Sequence, residues 1–206
     1  SNYNIFLEKP IATTKEAILE IGEIAKNYSK VIQVGFVMRY SPFYRKIKSW
    51  IAENDLGRIT QIQMNERLTV VHGTKFKRSW HRMKEYTGGF MNEKCSHDLD
   101  MMCWIKSNDA KPIGVMSMGS RTFARESVGQ VSCSTCPDKK CIYREDITQY
   151  AKYHDGKVLL DKTAGGVNEC IYGNTSDIND SQTVMVLFDD NTHGIFNVIS
   201  MSGKDG

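Results

Sequence analysis

Residues 3–37 read YNIFLEKPIATTKEAILEIGEIAKNYSKVIQVGFV. The apolar run 3–7 predicts a short buried strand. Thr13 and Glu16 are spaced as a capping box with Thr13 as the N-cap, and the apolar residues that follow at helical spacing predict a helix. A second apolar run, 31–37, predicts another buried strand. Strand, helix and strand in this order form a βαβ unit, which implies a parallel pair and a right-handed crossover.

The rest of the chain mixes helical and strand periodicity without a repeating βα pattern. Pro42 and Gly57 are placed to begin and end an amphipathic helix. Alternation over 58–71 predicts an antiparallel-type strand with one solvated face. We therefore predict an α+β fold, with a large, mainly antiparallel sheet that carries helices on one face. The other predicted segments are a helix over 93–106, a strand over 112–124, hairpin strands over 182–188 and 193–201, and a long insertion over 125–181.

The composition excludes several classes of protein. The 206 residues are 40% hydrophobic and 25% charged, as in an ordinary globular protein rather than a disordered one. A net charge of +3 is too weak to indicate nucleic-acid binding, and no apolar run approaches the roughly 20 residues that span a membrane. Six cysteines in a chain of this length do not make a disulfide-dense secreted scaffold, so we expect a cytoplasmic protein.

Both ends of the chain indicate a fragment. The chain enters the apolar run at residues 5–7 with no leading element, and it stops at residues 202–206 directly after a strong predicted strand. Ser1 and Asn2 are compatible with an expression scar. We therefore expect a longer parent protein.

Residues 88–100 read GGFMNEKCSHDLD and combine a carboxylate, an ammonium and an imidazole directly after a glycine pair. If a helix begins at Glu93, then Glu93 and His97 lie at i and i+4 on one face, about 6 Å apart along the axis. A carboxylate that orients an imidazole beside an amine can handle protons. The alternative is a helix with mixed charge on its solvent face.

Lys9 follows the first predicted strand and precedes Pro10, which disfavours helical geometry at the lysine. Open α/β sheets bind ligands beyond the carboxyl ends of their parallel strands. Lys9 is therefore a candidate ligand-binding residue, and an ordinary turn is the alternative.

Several motifs follow one another in the order typical of one enzyme family. They are Glu8-Lys9-Pro10, VGFVMRYSP over 34–42, Trp80, Gly88-Gly89, and 93–100 followed by Trp104. On these motifs, nearly the whole chain resembles the Gfo/Idh/MocA family of nicotinamide-dependent oxidoreductases. The resemblance implies that residues 1–38 are the last βαβ piece of a Rossmann dinucleotide-binding domain. It also implies that residues 39–206 are an α+β domain for substrate binding and oligomerisation, and we expect a homo-oligomer through the open sheet.

The resemblance also implies which residues form the site. In that family the lysine of Glu-Lys-Pro lies near the nicotinamide, and an aspartate and a histidine four residues apart complete a proton relay. These positions are Lys9, Glu93 and His97 here, with glutamate in place of the aspartate and Cys95 in place of the usual glycine. The implied cofactor-binding residues are Lys9 and Pro10, and the implied substrate-binding residues are Arg39, Trp80 and Lys94.

The expected reaction is hydride transfer from a hydroxyl-bearing carbon of a sugar, inositol or related polyol. Loss of hydride requires a base for the hydroxyl proton, and an imidazole with a pKa of about 6.5 suits that role. We hypothesise that His97 is the base, that Lys9 stabilises the alkoxide and that Glu93 fixes the imidazole tautomer. The alternatives are an NAD-dependent glycoside-cleaving enzyme of the same fold and a non-catalytic, zinc-stabilised interaction module.

The sequence lacks the glycine fingerprint of a dinucleotide site. It contains no Gly-x-Gly-x-x-Gly, and Gly88-Gly89 and Gly165-Gly166 are lone pairs. We therefore expect the NAD or NADP site to be incomplete within these residues.

Four cysteines form a second constellation. Cys133 and Cys136 are spaced as Cys-x-x-Cys, and Cys141 and Cys170 follow. Four thiolates suit tetrahedral zinc, and iron–sulfur ligation fits the spacing less well. The alternatives are a disulfide such as Cys136–Cys141 and unligated thiols.

A basic stretch lies between the predicted strand over 58–71 and the glycine pair. It is too short, in a nearly neutral chain, to indicate nucleic-acid binding. We expect a solvated loop, or one that lines a polyol or sugar-phosphate pocket. Its basic members are Lys75, Lys77, Arg78, Arg82 and Lys84, with Phe76 and Trp80 among them.

Overall fold

A computed structural model describes residues 2–53, 57–106, 110–123, 132–144, 169–173 and 175–201. Helices and two sheets alternate along the chain, which confirms the predicted α+β class. None of the helices in the described ranges is both long and apolar enough to cross a membrane. Gly165-Gly166, Ala124 and much of the predicted insertion lie outside these ranges, and the predicted domain boundary at residue 38 stays a prediction.

The chain divides into two compact units. The first unit comprises residues 1–65, 91–118 and 183–197, and the second comprises residues 66–90, 119–182 and 198–206.

The predicted βαβ unit is confirmed at the start of the first unit, but the prediction that its strands are buried was wrong, because neither strand has a buried residue and Phe6 is 61% exposed. Its elements are β1 (Ile5–Leu7), α1 (Lys15–Lys26) and β2 (Ile32–Val34). The two strands pair in parallel, with Phe6 opposite Gln33. Thr14 caps α1 instead of the predicted Thr13, because its side chain accepts a hydrogen bond from the amide of Ala17 at 3.2 Å. The capping box was therefore placed one residue too early.

The parallel pair ends in a close approach of its two strands. The amide of Gly35 donates to the carbonyl of Leu7 at 2.8 Å. A Cβ at position 35 would lie 3.1 Å from Glu8 Oε2 and 3.2 Å from the ring of Phe6, so a side chain there would push both aside. Glycine thus brings together the segments that follow the two strands. The peptide bond between Lys9 and Pro10 in the first of these segments is cis.

A 3₁₀ turn at Val37–Tyr40 leads from β2 into α2 (Pro42–Glu53), which begins at the predicted proline. Gly57 has a φ of +70°, a left-handed conformation that favours glycine. The remaining elements are β3 (Gln61–Arg67), α3 (Val70–Lys75), a 3₁₀ turn (Ser79–Arg82), α4 (Lys84–Thr87), α5 (Phe90–Glu93), α6 (Ser96–Lys106), β4 (Pro112–Ser120), β5 (Ser181–Phe188) and β6 (His193–Ile199).

The larger sheet has four strands in the order β3–β6–β5–β4. β5 and β6 form the predicted hairpin, in which the amide of Phe188 donates to the carbonyl of Thr192 at 2.9 Å. β4 and β5 are also antiparallel. The amide of Asp180, before β5, donates to the carbonyl of Ser120 at the end of β4, and the amide of Asp189, after β5, donates to the carbonyl of Lys111 before β4. Two of the three strand pairs are therefore antiparallel, as predicted for a mainly antiparallel sheet.

The prediction for residues 58–71 was wrong in direction and length. Gln61 meets His193 and Asn65 meets Asn197, the same offset at both positions, so β3 runs parallel to β6. The strand ends at Arg67, and the side chain of Thr69 caps α3 by accepting from the amide of His72. The last two residues of the predicted strand, Val70 and Val71, thus lie in the helix α3.

The sheet has one buried and one open face. On the buried face, Phe188, Phe196 and Val198 are each 1% exposed. α6 lies on this face, and it approaches so closely at Gly194 that a Cβ there would lie 2.1 Å from the sulfur of Met102. On the opposite face, Met185 and Leu187 of β5 are exposed, as the fold class predicted for a sheet with helices on one side. The edge strand β4 differs, because all nine of its residues are exposed and both of its faces are therefore open. Its large exposed apolar residues are Ile113, Val115, Met116 and Met118.

The helix predicted over 93–106 is broken. α5 ends at Glu93 and α6 begins at Ser96, with Lys94 and Cys95 in a turn between them. Glu93 and His97 therefore lie on two helical segments rather than on one continuous face, and the i, i+4 geometry expected from their spacing was wrong.

In the second unit, a buried ion pair ties two distant segments together. Nζ of Lys77 lies 3.2 Å from Oδ2 of Asp180, and the two side chains are 2% and 1% exposed. Asp180 also accepts hydrogen bonds from the amide and hydroxyl of Thr122 and from the amide of Phe123. Burial alone would raise the pKa of Asp180, but the ammonium of Lys77 and these donors together hold it below its usual value.

The basic stretch is therefore only partly the solvated loop that we expected, because Lys75 and Lys84 are exposed whereas Lys77, Arg78 and Arg82 are buried. Arg78 donates to the carbonyls of Glu169, at 2.9 Å, and of Tyr143, and it is 4% exposed. Arg82 pairs with the carboxylate of Glu169 at 2.9 Å. Together with Lys77, these cations hold the described parts of the insertion by internal contacts.

Replacing Asp180 with Asn should destabilise the protein by about 3 kcal/mol or more, because it leaves the ammonium of Lys77 buried without its counter-charge. Urea unfolding followed by circular dichroism measures this loss. The matched control is Lys26→Met, which breaks an exposed pair with Glu23 and should leave the unfolding midpoint unchanged. A loss below about 1 kcal/mol for Asp180→Asn would contradict a structural role for the pair.

Candidate functional site

Lys9 lies just beyond the carboxyl end of β1, and its ammonium is held by main chain. Nζ donates to the carbonyl oxygen of Glu93 at 2.5 Å, across 84 residues of sequence. Burial lowers the pKa of Lys9 and the charge of Lys94 acts in the same direction, while the charges of Glu93 and Asp98 oppose them. A half-buried lysine with a lowered pKa in a strand-end position is the kind of group that functional sites contain.

His97 lies in the first turn of α6. Its ring meets the ring of Phe36 edge to face, with 6.2 Å between the centroids. Nδ1 is buried and has no hydrogen-bond partner among the described residues. Burial lowers the pKa of His97, and the charges of Lys9 and Lys94 lower it further. The imidazole is therefore mostly neutral at pH 7, and a neutral imidazole can accept a proton.

The structure brings Lys9, Glu93 and His97 into the same compact unit. Glu93 contributes its main-chain carbonyl to Lys9. Its carboxylate is not bonded to Nδ1 of His97, because that atom has no partner in the part of the chain that the structure describes. That Glu93 fixes the imidazole tautomer stays a prediction.

The three predicted substrate-binding residues have different surroundings. Arg39 forms a two-pronged ion pair with Asp100. Nζ of Lys94 lies 3.5 Å from Oδ2 of Asp98, and the lysine side chain is 13% exposed. Trp80 belongs to the second unit, is 41% exposed and stacks on the ring of His81 with 3.8 Å between centroids.

Sequence reasoning did not assign roles to Phe36 and Asp100. Phe36 belongs to the quoted segment 34–42, and Asp100 lies three residues after His97, which places it on the same face of a helix. That spacing is the signal that could have found Asp100. Its pairing with Arg39 depends on how the segment after β2 meets α6, and no local pattern predicts that.

The four cysteines predicted to bind metal are all free thiols. Two of them, Cys136 and Cys141, therefore do not form the disulfide that was the alternative prediction. Sγ of Cys133 lies 3.6 Å from a guanidinium nitrogen of Arg78. Within the described ranges, no group of three or more His, Cys, Asp or Glu side chains is arranged to hold a metal ion. The zinc prediction for Cys133, Cys136, Cys141 and Cys170 therefore gains no support.

Comparison with known proteins agrees with the fold. Residues 48–186 match a family model described as the oxidoreductase family, C-terminal alpha/beta domain. YteT of Bacillus subtilis is 26% identical over 229 positions, which cover 100% of this chain and 51% of YteT. Inositol 2-dehydrogenase of Salmonella typhimurium is 32% identical over 117 positions, which cover 56% of this chain and 32% of that enzyme.

A solved structure shares the fold at low identity. GenD2 from gentamicin A biosynthesis, in complex with NAD, superposes with a TM-score of 0.61 at 14% identity, over 97% of this chain and 42% of GenD2. The chain thus spans from about a third to about half of the length of the relatives that it matches.

Replacing Lys9 with Met should raise the pKa of His97, because it removes a cation that disfavours the imidazolium. NMR titration of histidine-labelled protein measures the change. Lys46→Met, on the exposed side of α2, is the matched control and should leave the titration of His97 as it is in the parent protein. An unchanged pKa in Lys9→Met would show that the two groups are not coupled.

Proposed function

Because this chain belongs to the Gfo/Idh/MocA family of oxidoreductases, we propose that it supplies the proton-handling part of an active site for NAD- or NADP-dependent oxidation of a polyol hydroxyl. The observation that carries the proposal is the half-buried ammonium of Lys9, tied to the backbone of Glu93, in one unit with the half-buried imidazole of His97. The substrate class is a sugar, an inositol or a related polyol, and the relatives named inositol 2-dehydrogenase support it.

The described residues fit the nicotinamide end of a dinucleotide. Lys9 and Pro10 follow the carboxyl end of a parallel strand, where such sheets bind ligands, and the orphaned Nδ1 of His97 leaves a buried polar atom available. Lys9 and Pro10 would hold the ring end of NAD or NADP, which when bound accepts the hydride. The phosphate-binding glycine loop is not among these residues.

The chain's own part in the reaction is proton transfer. His97, neutral at pH 7, takes the proton from the substrate hydroxyl as the carbon loses its hydride and the C–O bond becomes a carbonyl. The ammonium of Lys9 stabilises the negative charge that develops on the oxygen. In the reverse direction, the imidazolium returns the proton to the oxygen.

In the full-length protein, His97→Ala should lower kcat by at least about a hundredfold, because the reaction loses its base. Stopped-flow or steady-state absorbance at the NADH band, with a panel of inositols and sugars, measures it. Lys46→Met is the control for surface substitution. A loss below threefold would remove His97 from the role of base, and release of an aglycone without net NADH would assign the site to glycoside cleavage instead.

We propose in addition that the open sheet, at its strands β4 and β5, joins copies of the chain into a homo-oligomer. Met118 and Met116 are 77% and 66% exposed on β4, and Met185 and Leu187 are 42% and 45% exposed on the neighbouring strand β5. Contiguous apolar surface of this kind marks an interaction site on a soluble protein.

The variant Met118→Glu should dissociate the assembly, because the interface would have to bury a carboxylate. Sedimentation velocity measures the mass of the species. Val71→Glu, equally exposed in the second unit, is the control and should not change it. A parent protein that sediments as a monomer would contradict the proposal.

A further inference from the structure

The turn that follows β2 holds α6 through an ion pair. Arg39 donates from Nε to Oδ2 of Asp100 at 2.7 Å and from its terminal nitrogen to Oδ1 at 2.6 Å. The side chain of Asp100 is 8% exposed, whereas that of Arg39 is 42% exposed. A carboxylate buried to this extent depends on its ion-pair partner to offset the free-energy cost of removing its charge from water. The two parallel hydrogen bonds fix the relative orientation of the two side chains as well as their distance.

The same turn also reaches the imidazole. The guanidinium carbon of Arg39 lies 5.8 Å from the centroid of the Phe36 ring, and that ring meets His97 edge to face at 78°. Asp100 is three residues after His97 on α6, so the ion pair and the ring contact act on the same turn of the helix. We call Phe36, Arg39 and Asp100 the Arg39 clamp.

Two tethers therefore position His97 relative to Lys9. One is the hydrogen bond from Lys9 to the carbonyl of Glu93, at the end of α5. The other runs from β1 to β2 through their pairing, on through the segment after Gly35 to Arg39, and across to Asp100. Both tethers begin at β1 and end at the helical segments next to His97, so the contacts form a closed loop that includes Lys9 and His97.

We propose that Asp100, held by Arg39, is a positioning residue that fixes the imidazole of His97 in its working orientation beside Lys9. This inference rests on the proposed function of His97, and it assigns Arg39 to the clamp rather than to substrate binding. A base displaced by about 1 Å costs on the order of a hundredfold in rate, so a clamp of this kind has a large effect without touching the substrate.

Charge gives the clamp a second, separable effect. The charged groups that act on His97 are Lys9 and Lys94, which lower its pKa, and Asp100 and Glu8, which raise it. Asp100 thus partly offsets the two lysines. Removing its charge should lower the pKa of His97 further, whereas loosening its hydrogen bonds without removing the charge should not.

Two variants separate geometry from charge in the full-length protein. Asp100→Asn removes the charge and one half of the ion pair, so it should lower kcat by at least about tenfold and move the acid limb of the kcat profile to lower pH. Arg39→Lys keeps a cation but loses the two-pronged contact, so it should lower kcat without moving that limb downward. Restoring the charge in Asp100→Glu should return the limb towards its position in the parent protein.

Lys48→Met is the matched control. Lys48 also anchors α6, because its ammonium donates to the carbonyl of Trp104 at 2.5 Å, at the far end of the helix from His97. If the clamp acts specifically, Lys48→Met changes stability but not the pH profile. An equal loss of kcat in Lys48→Met would reduce the clamp to general support of the helix and overturn the proposal.

Histidine NMR titration keeps the inference testable apart from activity. The positioning role would be overturned if the pKa of His97 is unchanged in Asp100→Asn. It would also be overturned if both variants change KM alone, and that result would assign the Arg39–Asp100 pair to substrate binding. If instead His97→Ala retains its kcat, the proposed function itself fails, whatever the titration shows.

Discussion

The hydrogen bond from Lys9 to the carbonyl of Glu93 is the contact on which the candidate site depends. It joins the segment after β1 to the last residue of α5, and so places an ammonium and an imidazole in one compact unit although they lie 88 positions apart in the chain. A main-chain carbonyl holds the ammonium in a well-defined position. It carries no charge of its own to titrate, and its position is set by backbone geometry rather than by a rotamer.

Burial and mutual repulsion then act on the two groups in the same direction. Desolvation disfavours the charged form of both Lys9 and His97, and each cation would raise the cost of the other. Asp100, Glu8 and Glu93 oppose this effect without cancelling it. Both groups therefore release a proton more readily than they would in water.

Local patterns predicted those parts of the fold that local physics decides. The βαβ unit, the start of α2 at Pro42 and the β5–β6 hairpin follow from periodicity, capping and turn chemistry over a few residues. The break between α5 and α6 does not, since Lys94 and Cys95 are neither glycine nor proline. The direction of β3 is decided by its neighbour β6, far along the chain. The burial of Lys77 is likewise decided by Asp180, across 103 residues of sequence.

The same distinction applies to the site. Lys9 and His97 were proposed as site residues from their residue types and from a family resemblance, and both lie in the first unit. The partners of Arg39 and Lys94 were not found, because an ion pair such as Arg39–Asp100 exists only once two elements meet. The sequence therefore indicates which groups are present, and tertiary packing decides which of them are engaged with one another.

Gly194 has a consequence for how such a protein diverges. The absent side chain lets Met102 of α6 rest directly on β6, so the helix that carries His97 sits as close to the sheet as a backbone allows. A larger residue at position 194 would require the side chain of Met102 to move or shorten, or α6 to shift away from the sheet. The position of the imidazole relative to β6 can thus be changed from the sheet side, through one buried glycine that lies on a different element from His97.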